Sequence, residues 1–69
     1  MHNAIKLRKL YRKTQEEISD IIDYPKPLYM AFEHGKFKIP KDKLIALSKY
    51  YHVSFSYMVN GDDDCYRED

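Results

Sequence analysis

The chain has few cysteines and no long apolar run, the features with which small proteins form disulfides or insert into a membrane. Its 69 residues include one cysteine, Cys65, so no disulfide can form within the chain, and we expect a free surface thiol. No apolar run approaches the roughly 20 residues of a membrane helix, so we expect neither a signal peptide nor a membrane span. These features favour a single small domain in a reducing, cytoplasmic setting.

Net charge is also scarce, but it is unevenly distributed. Residues 1–61 carry eleven Lys/Arg and six Asp/Glu, a net +5, whereas residues 62–69 carry Arg67 against five acids, a net −4, which together give +1. The sequence therefore divides into a basic domain at 1–61 and an acidic C-terminal tail at 62–69. We expect the tail to be solvated and disordered; the alternative is that it covers the basic face of the domain.

Apolar residues recur at helical spacing along the chain, and no stretch alternates for long enough to predict a strand. Thr14 followed by Glu17 has the pattern of a capping box, and the spacing of Ile18, Ile21 and Ile22 after it predicts a buried stripe. The five predicted helices lie near residues 3–13, 15–22, 26–34, 41–51 and 55–60. The predicted core comprises Leu7, Ile18, Ile22, Tyr29, Phe32, Leu44, Leu47, Tyr51 and Phe55.

The segment from Thr14 to Gly35, TQEEISDIIDYPKPLYMAFEHG, carries the functional signal. Thr14-Gln15, the pattern from Ile18 to Ile22 and the Phe32-Glu33-x-Gly35 ending, in register with Leu7-Arg8 and Val53-Ser54-Phe55, resemble the helix-turn-helix of the Cro and lambda-repressor-like (XRE) family. The resemblance covers roughly residues 3–61. It implies a compact, all-α, five-helix domain that binds double-stranded DNA as a transcriptional regulator, with its third helix in the major groove.

The same resemblance assigns roles to particular residues. Gln15 matches a glutamine that contacts the DNA backbone, and Arg8 and Glu33 match a structural ion pair between the first and third helices. The base-facing positions are Lys26, Pro27, Leu28 and Ala31, of which only Lys26 can hydrogen-bond a base edge. The expected backbone contacts are Thr14, Gln15, His34, Lys36, Lys38, Lys41 and Lys43.

The sequence departs from the family at the start of the third helix. Pro25 stands where the family has a capping Ser or Thr, and Asp23 where the turn commonly has glycine. These departures favour a second hypothesis, a protein-binding module on the same fold, such as an antirepressor, modulator or antitoxin. The first hypothesis remains a DNA-binding regulator, with a phage or mobile-element repressor as its setting.

The remaining expectations concern chemistry and assembly. There is no nucleophile motif, phosphate loop or metal-ligand spacing, so we expect no enzyme activity, no cofactor and no metal. A lone domain of this kind makes few base contacts, so we expect a homodimer on a palindromic site. The candidate interface residues are Tyr50, Phe55 and Tyr57, although Phe55 suits the core better.

Overall fold

The computed structural model describes residues 1–68, which form five helices and two very short strands. The helices are α1 (Ala4–Leu10), α2 (Gln15–Ile21), α3 (Lys26–Glu33), α4 (Lys41–Tyr50) and α5 (Phe55–Val59), and the strands are β1 (Ile39–Pro40) and β2 (Tyr66–Arg67). The five-helix, all-α prediction is confirmed, and the predicted helices lie within a few residues of the observed bounds. None of the helices formed by residues 1–68 combines the length and the hydropathy that a membrane-spanning segment requires.

The capping box predicted for α2 is present. The Thr14 hydroxyl accepts a hydrogen bond from the Glu17 amide at 3.1 Å, and the Glu17 carboxylate accepts one from the Thr14 amide at 2.9 Å. The Thr14 amide, followed by the Thr14 side chain, lowers the pKa of the Glu17 carboxyl. In contrast, α3 follows Pro25 without a side-chain cap and has Pro27 in its first turn.

All five helices contribute to one hydrophobic core. Eight of the nine predicted core residues are buried. The exception is Phe55, which is partly buried at the edge of the core, with its ring centroid 5.2 Å from that of Tyr66. The burial predicted for Ile21 is wrong, because this residue at the end of α2 is 45% exposed. The buried apolar residues are Ala4, Leu7, Ile18, Ile22, Tyr29, Phe32, Ile39, Leu44, Leu47, Tyr51, Met58, Val59 and Cys65.

The structure differs from the sequence-based prediction in the segment that follows α5. β2 pairs in parallel with β1, in the register Ile39 with Tyr66 and Pro40 with Arg67. The prediction of a chain without strands is therefore wrong. Residues 62–68 of the predicted disordered tail pack on the domain, and Asp69, the last residue of that tail, lies outside the described residues. Cys65 is 7% exposed, so the expected surface thiol is in fact buried, and burial raises its pKa to about 11.

Candidate nucleic-acid interface

The turn between α2 and α3 holds the two helices in a fixed arrangement. The Asp23 amide donates to the Asp20 carbonyl at 3.1 Å and the Tyr24 amide to the Ser19 carbonyl at 2.9 Å, the two bonds of a Schellman motif. Asp23 occupies the left-handed region, with φ of 54°, where glycine is usual. The turn therefore has the geometry that a glycine would favour, although the residue is aspartate.

A buried polar network joins α1, α2 and α3. Arg8 donates to Glu33 through Nε at 2.7 Å and Nη2 at 3.1 Å, a bidentate pair in which the Glu33 side chain is fully buried. The Gln15 amide donates to Glu33 Oε1 at 2.9 Å, and the Tyr29 hydroxyl donates to Oε2 at 2.5 Å. Glu33 thus accepts four hydrogen bonds from three side chains. Its carboxylate, at the last residue of α3, is held by donors from both α1 and α2.

The network stabilises the charged forms of its ion pair. Burial raises the pKa of the Glu33 carboxyl, but the hydrogen bonds from Arg8, Tyr29 and Gln15 outweigh it, and the pKa is lowered overall. The hydrogen bond to Glu33 likewise raises the pKa of Arg8. Burial, followed by the bond to Glu33, raises the pKa of Tyr29, so its phenol stays protonated and acts as a donor.

The predicted base-facing residues lie together at the start and along one side of α3. Pro27 is exposed, and Leu28 and Ala31 are partly exposed. The Lys26 side chain is 46% exposed, and its Nζ lies 3.5 Å from Glu16 Oε1 in the first turn of α2. Lys26 is therefore available at the surface, but it must leave an exposed ion pair before it can reach a base.

The predicted backbone-contacting residues fall into two groups. Lys36, Lys38 and His34 are exposed around the end of α3, where Gly35, with φ of 74°, reverses the chain. The other members make contacts within the protein: the Thr14 hydroxyl caps α2 and the Gln15 amide binds Glu33.

Lys41 and Lys43 also have intramolecular partners. Lys41 Nζ lies 2.7 Å from Glu68 Oε1, which raises the pKa of Lys41, and it also lies over the rings of Phe55 and Tyr66. Lys43 Nζ donates to the Ile22 carbonyl at 3.1 Å and so closes the end of α2. Lys36 and Lys38 are therefore better placed than these two lysines to meet a phosphate.

The candidate dimer residues differ in exposure. Tyr57 is 44% exposed, whereas Tyr50 and Phe55 pack partly against the core. The Tyr50 ring lies 5.1 Å from Tyr51 and 5.8 Å from Tyr11, so it belongs to an aromatic cluster within the domain. Of the three, Tyr57 presents the most surface.

Sequence reasoning missed several contacts at this site, including those of Gln15 with Glu33 and of Lys41 with Glu68. Tyr29 and Glu33 are four residues apart on one helix, a spacing that could have suggested their bond. Glu16 as a partner of Lys26 and Lys43 as a partner of Ile22 depend on how the helices cross, which no local pattern shows. Among residues 1–68, no group of three or more His, Cys, Asp or Glu side chains is placed to hold a metal ion.

A capped helix, a tight turn and a second helix with an exposed start define a helix-turn-helix domain. A family model described as "Helix-turn-helix" matches residues 5–58, so this chain belongs to that family, and the resemblance found in the sequence is confirmed. The chain is similar to the "Uncharacterized HTH-type transcriptional regulator YobD" of Bacillus subtilis (strain 168), with 36% identity over 58 residues. That match covers 84% of the chain and 52% of the relative, so the chain spans about half the length of the relative. No solved structure matches the chain.

Proposed function

We propose that this chain is the DNA-binding module of a transcriptional regulator that places the start of α3 in the major groove of an operator. The buried Glu33 network carries the proposal, because it fixes α3 against α1 and α2 while the start of α3 stays exposed. A major groove about 12 Å wide admits a helix presented in this way. The description of the Bacillus subtilis relative as a transcriptional regulator supports the same role.

In this proposal, base contact and backbone contact fall to different residues. Lys26 is the long donor at the start of α3 and can reach guanine O6 and N7, while Leu28 can touch a thymine methyl. Lys36 and Lys38 supply backbone affinity by releasing counterions from phosphate. Gln15 has two amide hydrogens, and only one is used by Glu33, which leaves the second for a phosphate.

A homodimer on a palindromic site is part of the proposal, because one domain offers few base-facing polar groups. Tyr57 is the exposed aromatic on α5 and is the residue we assign to the dimer contact. None of the named residues is assigned a catalytic role.

A specific observation favours the protein-binding alternative. The start of α3 presents two prolines, and its one long donor is held near Glu16 at 3.5 Å. With Lys41 and Lys43 bonded inside the protein, only two of the four lysines predicted to contact the DNA backbone remain available, whereas Pro27, Leu28 and Met30 offer apolar surface to a protein.

A salt titration of binding to duplex DNA separates the two functions. We expect binding to duplexes of roughly 20–30 base pairs to fall steeply with salt, and genomic upstream DNA to be preferred over random sequence. Lys38→Ala should weaken binding, while Lys49→Ala, an equal charge change near the far end of α4, should have little effect. If no duplex binds at low salt, the DNA-binding proposal fails and the protein-binding module replaces it.

A further inference from the structure

The segment after α5 is folded onto the lysine-bearing loop between α3 and α4. Residues 62–68, named the strap here, begin with the Asp62 amide bonded to the Val59 carbonyl at 3.0 Å. The Ile39 amide donates to the Cys65 carbonyl at 3.2 Å, and the parallel pairing of β1 with β2 follows. The strap therefore adds a strand to the loop on which the proposed phosphate contacts depend.

Side chains fasten the strap in this position. Cys65 is buried in the core, and the Tyr66 ring meets Phe55 edge-on. Arg67 donates from Nη1 to the Lys38 carbonyl at 2.7 Å, and its guanidinium lies 5.5 Å from the centre of the Phe37 ring. The strap is thus attached through main-chain bonds and through three successive side chains.

The attached strap carries carboxylates to three lysines, which are named the loop lysines here: Lys36 and Lys38 in the loop, and Lys41 at the first position of α4. Glu68 forms the 2.7 Å ion pair with Lys41. Asp62 and Asp64 line an open cavity of about 440 Å³ whose other walls include Lys36 and Lys38. A carboxylate oxygen of the strap therefore occupies the Lys41 ammonium group as a phosphate oxygen would, and two further carboxylates share a cavity with Lys36 and Lys38.

We propose that the strap is an intramolecular competitor of DNA phosphate for the loop lysines, and that DNA binding displaces it. This inference rests on the proposed DNA-binding function. A phosphate that approaches Lys41 must replace Glu68, and one that approaches Lys36 or Lys38 comes close to the cavity that Asp62 and Asp64 line. An exposed ion pair such as Lys41–Glu68 is weak, so the strap lowers DNA affinity by a graded factor and does not abolish binding.

The test compares single charge changes in the full chain, so that strap packing is preserved. Glu68→Gln removes the negative charge that pairs with Lys41. Asp20→Asn is the matched control, because it removes an equal charge from an exposed position of α2. We expect Glu68→Gln to tighten binding to a random duplex roughly threefold at low salt and to steepen the salt slope by about 0.9. Asp20→Asn should change both quantities less, and circular dichroism should report the same fold for all three proteins.

The Cys65 thiol reports displacement of the strap independently. Because it is buried in the free protein, we expect slow reaction with an aromatic disulfide reagent, and faster reaction once a duplex is bound. Equal effects of the two substitutions, together with an unchanged thiol reaction rate in the complex, would overturn the strap proposal while leaving DNA binding intact. If no variant binds a duplex at any salt concentration, the proposed function fails and the strap proposal fails with it.

Discussion

The side-chain amide of Gln15 donates a 2.9 Å hydrogen bond to Glu33, which ties the first residue of α2 to the last residue of α3. A residue that the family resemblance assigns to DNA contact is therefore also part of the internal frame. Since Arg8 approaches the same carboxylate from α1, one acidic side chain at the end of α3 is hydrogen-bonded to both α1 and α2.

Removing the Glu33 carboxylate should destabilise the domain strongly. We expect Glu33→Ala to lower the free energy of unfolding by about 3–5 kcal/mol, because Arg8 is left without its partner in a partly buried position. Urea denaturation measures the loss. Glu68→Ala, which breaks the exposed pair with Lys41, is the control and should produce a far smaller change. A loss below about 1 kcal/mol for Glu33→Ala would mean that the pair contributes little to stability.

The stability of the domain should decrease in acid through the same carboxylate. The pKa of Glu33 is lower in the folded chain than its ordinary value, so the unfolded chain takes up the proton first as the pH falls. The stabilisation is fully present above the ordinary pKa of about 4.3 and is lost as the pH falls toward the lower folded value. Urea unfolding midpoints between neutral and acidic pH should fall for the wild type and fall less for Glu33→Gln. The same pH dependence in both proteins would assign the acid loss to other carboxylates.

The substitution of aspartate by glycine should affect stability differently in the turn, at Asp23, and within α2, at Asp20. Asp23→Gly should preserve stability or raise it by up to about 1 kcal/mol, because glycine adopts the positive φ without strain. Asp20→Gly, within α2, should lower stability by about 0.5–1 kcal/mol, because glycine is unfavourable in a helix. Thermal unfolding of both variants measures the contrast, and equal losses would contradict the role of the turn.

Substitution of Lys26 should change the discrimination between DNA sequences, whereas substitution of Lys38 should change the overall affinity for DNA. Lys26→Ala should reduce the preference for operator over random DNA by about 1–3 kcal/mol if its ammonium binds a base edge. Lys38→Ala should weaken both duplexes equally and reduce the salt slope by about one unit. Competition binding on the two duplexes distinguishes them. If Lys26→Ala leaves the preference unchanged, Lys26 does not read bases.

The helices were predictable because each has a local signal in the sequence. The capping pair Thr14 and Glu17 sets the start of α2, and Gly35 marks the end of α3. Neither two-residue strand contains enough residues to show a period, so the pairing of Ile39 with Tyr66 could not be found in this way. The packing of residues 62–68 was missed because three consecutive aspartates dominate the composition there, although Cys65 and Tyr66 supply the apolar contacts.

At the candidate site, the sequence predicted which residues lie there more successfully than it predicted their hydrogen-bond and ion-pair partners. Arg8 and Glu33 were paired through the family resemblance, and the structure brings them together. The intramolecular bonds of Lys41 and Lys43 depend on the packing of distant segments, so sequence reasoning assigned both residues to DNA. A lysine in a sequence shows its charge but not its nearest acceptor.

The pairing of β1 with β2 has a consequence for the order in which the chain folds. The two strands are separated by the whole of α4 and α5, so their contact closes a long loop and carries the entropic cost of doing so. The helices form from contacts near in sequence, so we expect the strands to join after the main barrier is crossed. Tyr66→Ala should then accelerate unfolding and leave the refolding rate almost unchanged. Stopped-flow measurements over a range of urea concentrations determine both rates. The refolding rates in such a plot then report formation of the helices, and the unfolding rates report how easily β2 separates from β1.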